Sequence, residues 1–470
     1  MLTKEQIEQI VRMTIEQVDR QGGSSACAPA SGNGWMFDRV DDCVRAASAA
    51  QKKLAGMSID AREALIRAMR KASVDNAQKL AQMAHDETGY GKVPDKVQKI
   101  LLVANKTPGT EDIEPRVFTG DHGITLVEQA PYGVIGSITP STNPPGTIIN
   151  NSISMIAGGN AVVYNPHPAA VKCCQETMRI LNEAIVAAGG PMGLICCPTT
   201  PNMDTSADLM SHPDIKMLSV TGGEAVVSIA MKSGKKCISA GPGNPPVIVD
   251  ETADIPQAAK DTVDGASFDN NVLCVAEKEC FVVNSVFDMF MSEMQKHGAY
   301  LVRGNDIDKI VRTVINEKDG KYSANKNFVG HDATYILQQS GVSYTGDPRL
   351  IIADVPKDHP FVIVEMLMPV LGCVRCSDVD QAIDWAVEAE HGCQHSAMMH
   401  STNYKNMTKA ARAVNTTIFV KNGPSTAGVG FNGEGYATLT IATPTGEGLT
   451  SARSFTRARR CVLKDGFRII

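Results

Sequence analysis

Val134-Ile-Gly-Ser-Ile138, Ile148-Ile-Asn-Asn-Ser-Ile-Ser-Met-Ile-Ala157 and Ala161-Val-Val-Tyr164 set the architecture of the chain. They read as a short apolar strand, a helix and a second apolar strand. The rhythm then continues. Ala169 to Ala188 is a long helix, Leu194 to Cys197 a strand, Thr205 to Ser211 a helix and Ile215 to Val220 a strand. Glu224 to Lys232 is a helix, and Lys236 to Ser239 and Val247 to Asp250 are strands. Strands alternating with helices predict a mostly parallel sheet covered on both faces. Ligands bind such sheets at the carboxyl ends of the strands. The loops there are Pro140-Ser-Thr142-Asn143-Pro144, Asn165-Pro166-His167-Pro168 and Thr221-Gly222-Gly223. Small residues at Thr221–Gly223, just before a helix, fit an anion site or a plain strand-to-helix turn equally well. A G-x-G-x-x-G fingerprint is absent, so an ordinary Rossmann dinucleotide site is not supported.

Beyond residue 250 the βα rhythm resumes around one cysteine. Thr252 to Ala266 has helical spacing, with Thr252 or Asp254 as its cap, and Glu279 to Val283 reads as a strand. Between them lies Ser267-Phe-Asp-Asn-Asn-Val-Leu-Cys274, a short polar link that can hold and present a side chain. Cys274 is either a nucleophile or a buried free thiol acting as a small hydrophobe. Glu365 interrupts the apolar run Val362 to Pro369. A buried carboxylate is costly without a partner, which makes a ligand hydroxyl or a structural ion pair the candidates. Glycines crowd the stretch from Asn422 to Gly448, as where backbone approaches a ligand. Gly123 to Ala130 alternates like an edge or oligomer-forming strand, and Cys461 to Leu463 is a tail strand suited to another subunit's sheet.

At the other end, Asp38 to Met57 and Ile59 to Thr88 are helical patterns. Residues 1–20 form a separate amphipathic helix with Ile7, Ile10, Val11, Ile15 and Val18 on one stripe and a capping box at Thr3 and Gln6. Residues 21–34 are a Gly/Ser/Ala/Pro-rich linker. So short a helix is marginal alone, and its stripe needs the protein's own body, a membrane surface or another protein. Balanced charges disfavour an anionic membrane, and the linker favours a partner helix.

Composition narrows the function. The 470 residues exceed one ordinary core, and 43% hydrophobic with 20% charged residues describes a globular protein. The net charge of −6 and the lack of a basic run argue against nucleic acid, and no apolar stretch is long enough to span a membrane. The 13 cysteines are scattered as in a reducing compartment, and the lone Cys373-Val-Arg-Cys376 lacks the ligands to complete a zinc site, so no metal is expected.

Together, Asn143, Thr221-Gly222-Gly223, Cys274 and Glu365 before Pro369 resemble the aldehyde dehydrogenase superfamily. STNPPGTIINNSISM, MKSGKK, AGPGNPPVIVDETAD, GASFDNN and TIATPTGEGLTSAR are similar to the CoA-acylating propionaldehyde/acetaldehyde dehydrogenases of bacterial microcompartments. The resemblance runs from about residue 35 to 470, and residues 1–20 resemble the encapsulation peptides that dock on shell proteins. It implies an α/β, aldehyde dehydrogenase-like fold. A Rossmann-like dinucleotide-binding domain would span 35–122 and 131–243, a catalytic domain 244–440, and an oligomerisation arm 123–130 and 441–470. By motif, Cys274 is the nucleophile, with Asn143 and the Cys274 N–H as its oxyanion hole. Thr142, Pro166, His167, Thr221, Gly222, Gly223, Gly241 and Glu365 are the expected cofactor contacts, with NAD and coenzyme A as cofactor and co-substrate. The expected setting is a homodimer or homotetramer in a microcompartment lumen, acting on a short-chain aldehyde.

Two departures from hydrolytic relatives carry meaning. Those carry Glu-Leu-Gly-Gly-Lys before the last strand of the cofactor domain, whereas this chain reads Ala240-Gly-Pro-Gly-Asn-Pro-Pro246. Without that carboxylate no general base activates water, and a CoA thiol becomes the acceptor. Asn165-Pro166-His167-Pro168 stands where they have a lysine on the adenosine ribose, so NAD over NADP rests on the resemblance alone. The alternatives are a hydrolytic dehydrogenase giving a free acid and a non-catalytic targeting or structural protein on this scaffold.

Overall fold

The computed structural model describes residues 33–469. The helix expected at 1–20 and nearly all of the linker at 21–34 lie outside them. Strand β1 (Met36–Phe37) opens the body, followed by helices Val40–Ala55, Ile59–Asp75, Ala77–Thr88 and Val93–Lys106. β2 (Arg116–Gly120) and β3 (Gly123–Pro131) form a hairpin. The α/β rhythm then runs through β4 (Val134–Thr139), β5 (Ala161–Pro166), β6 (Ile195–Pro198), β7 (Ile215–Thr221) and β8 (Lys236–Ala240). With β1 they make a six-stranded sheet, order β1-β6-β5-β4-β7-β8, every pair parallel.

The chain passes directly from β8 into β9 (Pro246–Val249), the centre of a second sheet. That sheet adds β10 (Glu279–Val283) and β11 (Ala299–Val302); the short hairpin β12 (Ile315–Lys318) and β13 (Lys321–Ala324) stands apart from it. β14 (Leu350–Asp354), β15 (Val370–Cys376), β16 (Ser396–His400) and β17 (Ile418–Lys421) complete seven parallel strands, order β11-β14-β15-β10-β9-β16-β17. A two-residue pair, β18 (Ile441–Ala442) and β19 (Gly448–Leu449), follows. β20 (Thr456–Lys464) ends the order, antiparallel to β3 along its whole length.

The strands that read as unbroken apolar runs are buried throughout, as parallel strands covered on both faces must be. Two expectations need correction, and two elements are additional. The pattern from Ile59 to Thr88 is two helices, broken at Asn76, whose backbone leaves helical geometry while its Nδ2 donates to the Ala72 carbonyl at 2.8 Å. The helix Val93–Lys106 was not foreseen, nor was β2. The tail strand is longer than Cys461–Leu463 and pairs with β3 of its own chain.

One helix organises the interior. All 14 residues of Pro144–Ala157 are buried, including four polar ones in the run Asn150-Asn-Ser-Ile-Ser154. An unpaired buried amide costs about 1–3 kcal/mol, so each needs a partner. Asn150 Nδ2 donates to Thr107 Oγ1 (2.8 Å) and its Oδ1 accepts from Leu439 N–H (3.1 Å). Asn151 Oδ1 accepts from Thr440 Oγ1 (2.9 Å), and Ser152 pairs with the Tyr164 hydroxyl (2.9 Å). The late segment 437–440 is thus stitched onto the helix by its polar face.

Candidate active site

The first sheet ends its strands where the second begins: Gly241–Pro245 joins the carboxyl end of β8 to the amino end of β9. Asn143 follows β4 and Gly222 follows β7. Cys274 precedes β10, Glu365 precedes β15 and His395 precedes β16. The predicted residues from both halves therefore gather along one seam.

Asn143 is the residue before the buried helix, where an asparagine normally caps the first N–H groups. Here Pro144 and Pro145 occupy the first two helical positions, proline has no N–H to cap, and no side-chain cap forms. The amide is free for other work. Its Oδ1 accepts a short hydrogen bond from Lys99 Nζ, and its Nδ2 has a long contact with Thr142 Oγ1 at 3.5 Å.

The approach to Cys274 is held by its polar neighbours. The helix Ile255–Ser267, capped by Asp254 (the second of the two expected caps), ends in Asp269, Asn270 and Asn271, with φ of 48°, 54° and 65°. Left-handed backbone at non-glycine residues costs on the order of 1 kcal/mol each, least for Asn and Asp, and persists only where contacts hold it. They do. Asn270 Nδ2 donates to the Gly330 carbonyl (2.9 Å) and Asp332 (2.8 Å), and Asn271 Nδ2 donates to the Ala266 (2.8 Å) and Glu277 (2.9 Å) carbonyls. Asp269 is fully buried, accepts from the Lys92 N–H (2.7 Å) and pairs with Lys96 (3.1 Å) and Lys99.

Cys274 itself is largely enclosed, and burial, followed by the charge of Glu365, pushes its thiol up to about 11. Lys278, the thiol's own backbone N–H and Lys99 oppose that rise. Lys278 is fully buried and saturated: its Nζ donates to Asn271 Oδ1 (2.6 Å), to the Leu273 carbonyl (3.1 Å) and to the Asn271 carbonyl (3.4 Å). Burial lowers its pKa, while Glu365, Cys274, Glu277 and Glu279 raise it. Glu365 is not the lone carboxylate its sequence suggests. Its Oε1 accepts from the Gly243 N–H at 3.4 Å; burial raises its pKa, and Lys278 and that N–H hold it back. The ring of His395 fills the space where a Gly243 side chain would stand, 2.8 Å from its Cγ, and its buried Nε2 has no hydrogen-bond partner among the described residues.

The cofactor candidates divide. Thr221 Oγ1, at the end of β7, is buried without a partner, as are Ser137, Thr139 and Ser219, with Ser137 opposite Ser219 in the ladder. Gly223 precedes the helix Glu224–Met231, which lacks a side-chain cap, and a side chain at 223 would meet no atom within 4 Å. Orphaned hydroxyls beside an open helix N-terminus fit a polar, anionic ligand such as a dinucleotide. Gly241 lies against Pro444, 3.0 Å from where a Cβ would be. Thr142 borders a small cavity with Lys96, Lys99, Asn143 and Leu439. Pro166 is the buried last residue of β5. His167 is exposed and its Nδ1 accepts from Ala169 N–H (3.1 Å); partial burial of the ring and then Lys326 lower its pKa. Among the described residues no group of three or more His, Cys, Asp or Glu could hold a metal ion.

Sequence reading missed Lys96, Lys99, Lys278 and His395. Buried lysines look like solvent-facing ones in a sequence, and Asp269 is 173 residues from Lys96.

The aldehyde dehydrogenase family model matches residues 15–437. An acetylating acetaldehyde dehydrogenase of Bilophila wadsworthia is 49% identical, over 93% of this chain and 92% of the relative. A propionaldehyde dehydrogenase structure from the fucose utilisation microcompartment of Clostridium phytofermentans superposes with a TM-score of 0.90 at 47% identity, covering 93% of this chain and 99% of that one. The Rhodopseudomonas palustris propionaldehyde dehydrogenase, solved with bound CoA and an acylated cysteine, gives 0.90 at 44% identity, covering 92% and 99%.

Proposed function

The chain belongs to the aldehyde dehydrogenase family, and from that premise we propose that it oxidises a short-chain aldehyde, of the propionaldehyde or acetaldehyde class, to the acyl-CoA. The observation that carries this reading is the link Gly241–Pro245, which joins β8 to β9 and contains no carboxylate. The relatives' CoA-acylating names support it.

Cys274 Sγ attacks the aldehyde carbon once its proton has left. The new oxyanion is met by Asn143 Nδ2–H and the Cys274 N–H. Thr142, Pro166, His167, Thr221–Gly223, Gly241 and Glu365 would hold a nicotinamide dinucleotide, which when bound would accept the hydride from the aldehyde carbon. The acyl group remains on Cys274 as a thioester. No carboxylate in the 241–245 link stands ready to draw a proton from water, and a CoA thiol, appreciably ionised near neutral pH, takes the acyl group and restores the Cys274 thiol. The test is mass spectrometry of protein given aldehyde and NAD⁺ without CoA: one acyl group on the Cys274 peptide is expected, and unmodified Cys274 with free acid accumulating would overturn the reading.

The domain roles are part of the proposal: dinucleotide binding by 35–122 and 131–243, catalysis by 244–440, and an arm of 123–130 with 441–470. Val462 and Leu463 on that arm, and Val117 and Phe118 on β2 paired with it, are more than half exposed, which supports burial against a second copy in a homodimer or homotetramer. Residues 1–20 dock the enzyme on a microcompartment shell protein and bring it into the lumen. The microcompartment setting of the Clostridium phytofermentans relative and the apolar stripe in the sequence of residues 1–20 support this. Deleting them should leave kinetics unchanged and abolish co-purification with shell protein; retained co-purification would contradict the role.

A further inference from the structure

Lys99 sits on the helix Val93–Lys106 with only 5% of its surface exposed. An ammonium has three N–H donors and no acceptor. Its three partners are the Asp269 carboxylate, the Val272 carbonyl at 3.2 Å and Asn143 Oδ1. Every donor is therefore spent, and each partner is held in one orientation. The consequence falls on Asn143. An amide can present oxygen or nitrogen to a neighbour, but only oxygen suits a neighbour that can do nothing except donate. With Oδ1 committed to Lys99, Nδ2 is turned the other way, and its one hydrogen-bond partner among the described residues is Thr142 Oγ1, at a long 3.5 Å.

The ammonium is in turn seated by Asp269 and the contacts that hold it. Asp269 lies in the left-handed run before Cys274, where its N–H donates to Asp95 Oδ2 at 2.8 Å. Gly91, with φ +68°, leaves room for the Asp269 carboxylate; a Cβ there would lie 1.9 Å from Oδ1. Lys96 shares the same carboxylate.

We propose that Lys99, anchored by Asp269, is a positioning residue that fixes the Asn143 amide so that Nδ2–H faces the oxyanion formed when Cys274 attacks the aldehyde. This deepens the reading of Asn143 as an oxyanion donor and rests on it. The same ammonium ties the loop before the nucleophile, through Asp269 and Val272, to the loop that carries the donor. The two halves of the oxyanion site are thereby set at one distance by one side chain.

A double-mutant cycle on the full chain tests this. Asn143→Ala should lower kcat about 100- to 1,000-fold with the aldehyde KM nearly unchanged, as loss of an oxyanion donor does. Lys99→Met should lower kcat at least tenfold with the same split, and Lys99→Met in the Asn143→Ala background should cost less than threefold more. Multiplying effects in the double variant would mean that Lys99 acts on its own, and wild-type kcat in Lys99→Met would likewise overturn the inference. Wild-type kcat in Asn143→Ala would overturn the oxyanion reading itself, so the two failures are distinguishable. Lys99→Met leaves the buried Asp269 carboxylate paired with Lys96, so no carboxylate is stranded. Lys99→Arg keeps the charge and several N–H donors at this position and should recover at least part of the kcat lost in Lys99→Met, and a folded Lys99→Arg variant that turns over no faster than Lys99→Met would refute the proposal.

Discussion

Alkylation of Cys274 by iodoacetamide should speed up about tenfold for each pH unit from 7 to 10. The thiolate is the nucleophile, and the thiol is pushed up to about 11. At pH 7 roughly one Cys274 in ten thousand is then ionised, four units below the midpoint. Burial is the first cause and the Glu365 charge the second, so Glu365→Gln should move the titration down. Each unit of that shift raises the neutral-pH rate tenfold, or ~1.4 kcal/mol. Lys278→Met removes the strongest opposing charge and should move it up. The assay is peptide mapping of time courses at pH 6–11, because the exposed Cys461 and half-buried Cys393 will react as well. A rate already level between pH 7 and 8 would refute the electrostatic reasoning, as would a Glu365→Gln profile shifted upward.

Two further outcomes concern stability. Burial raises the Glu277 carboxyl to about 7 while Ser425 N–H and Oγ–H each donate to it at 2.7 Å. Between its ordinary 4.5 and 7 the unfolded chain ionises while the folded one stays protonated, so this group's contribution to stability falls as pH rises through that window. Glu277→Gln should therefore gain about 2–3 kcal/mol over wild type at pH 8 relative to pH 5 in chemical denaturation; an equal difference at both pH values would count against it. Gly91→Ala places a side chain in left-handed backbone and against Asp269, and should cost more than about 1 kcal/mol as well as much of kcat. Unchanged melting and turnover would show that the Asp269 seat tolerates movement.

Much of this was legible in the residues because burial leaves a simple mark. Parallel strands covered on both sides read as apolar runs, and β10 appears where Glu279–Val283 said it would. Cys274, Asn143 and Glu365 stood out because polar or reactive groups interrupt regular elements. The helix Val93–Lys106 hid for the opposite reason: Lys96 and Lys99 lie on its buried face beside Ile100 and Val103, and charge there erases the apolar period. Asn76 breaks a helix without the glycine or proline that would announce it. What pairs Lys99 with Asp269 and Asn143 is contact across distant segments, and no local pattern encodes that.

The missing base is tested most directly by NADH formation from purified protein, NAD⁺ and propionaldehyde, with and without CoA. Sustained turnover should require CoA, and without it NADH should stop at no more than one equivalent per Cys274. Equal, continuing turnover without CoA, with free propionate as product, would mean that a group in this seam activates water and would contradict acyl transfer to CoA.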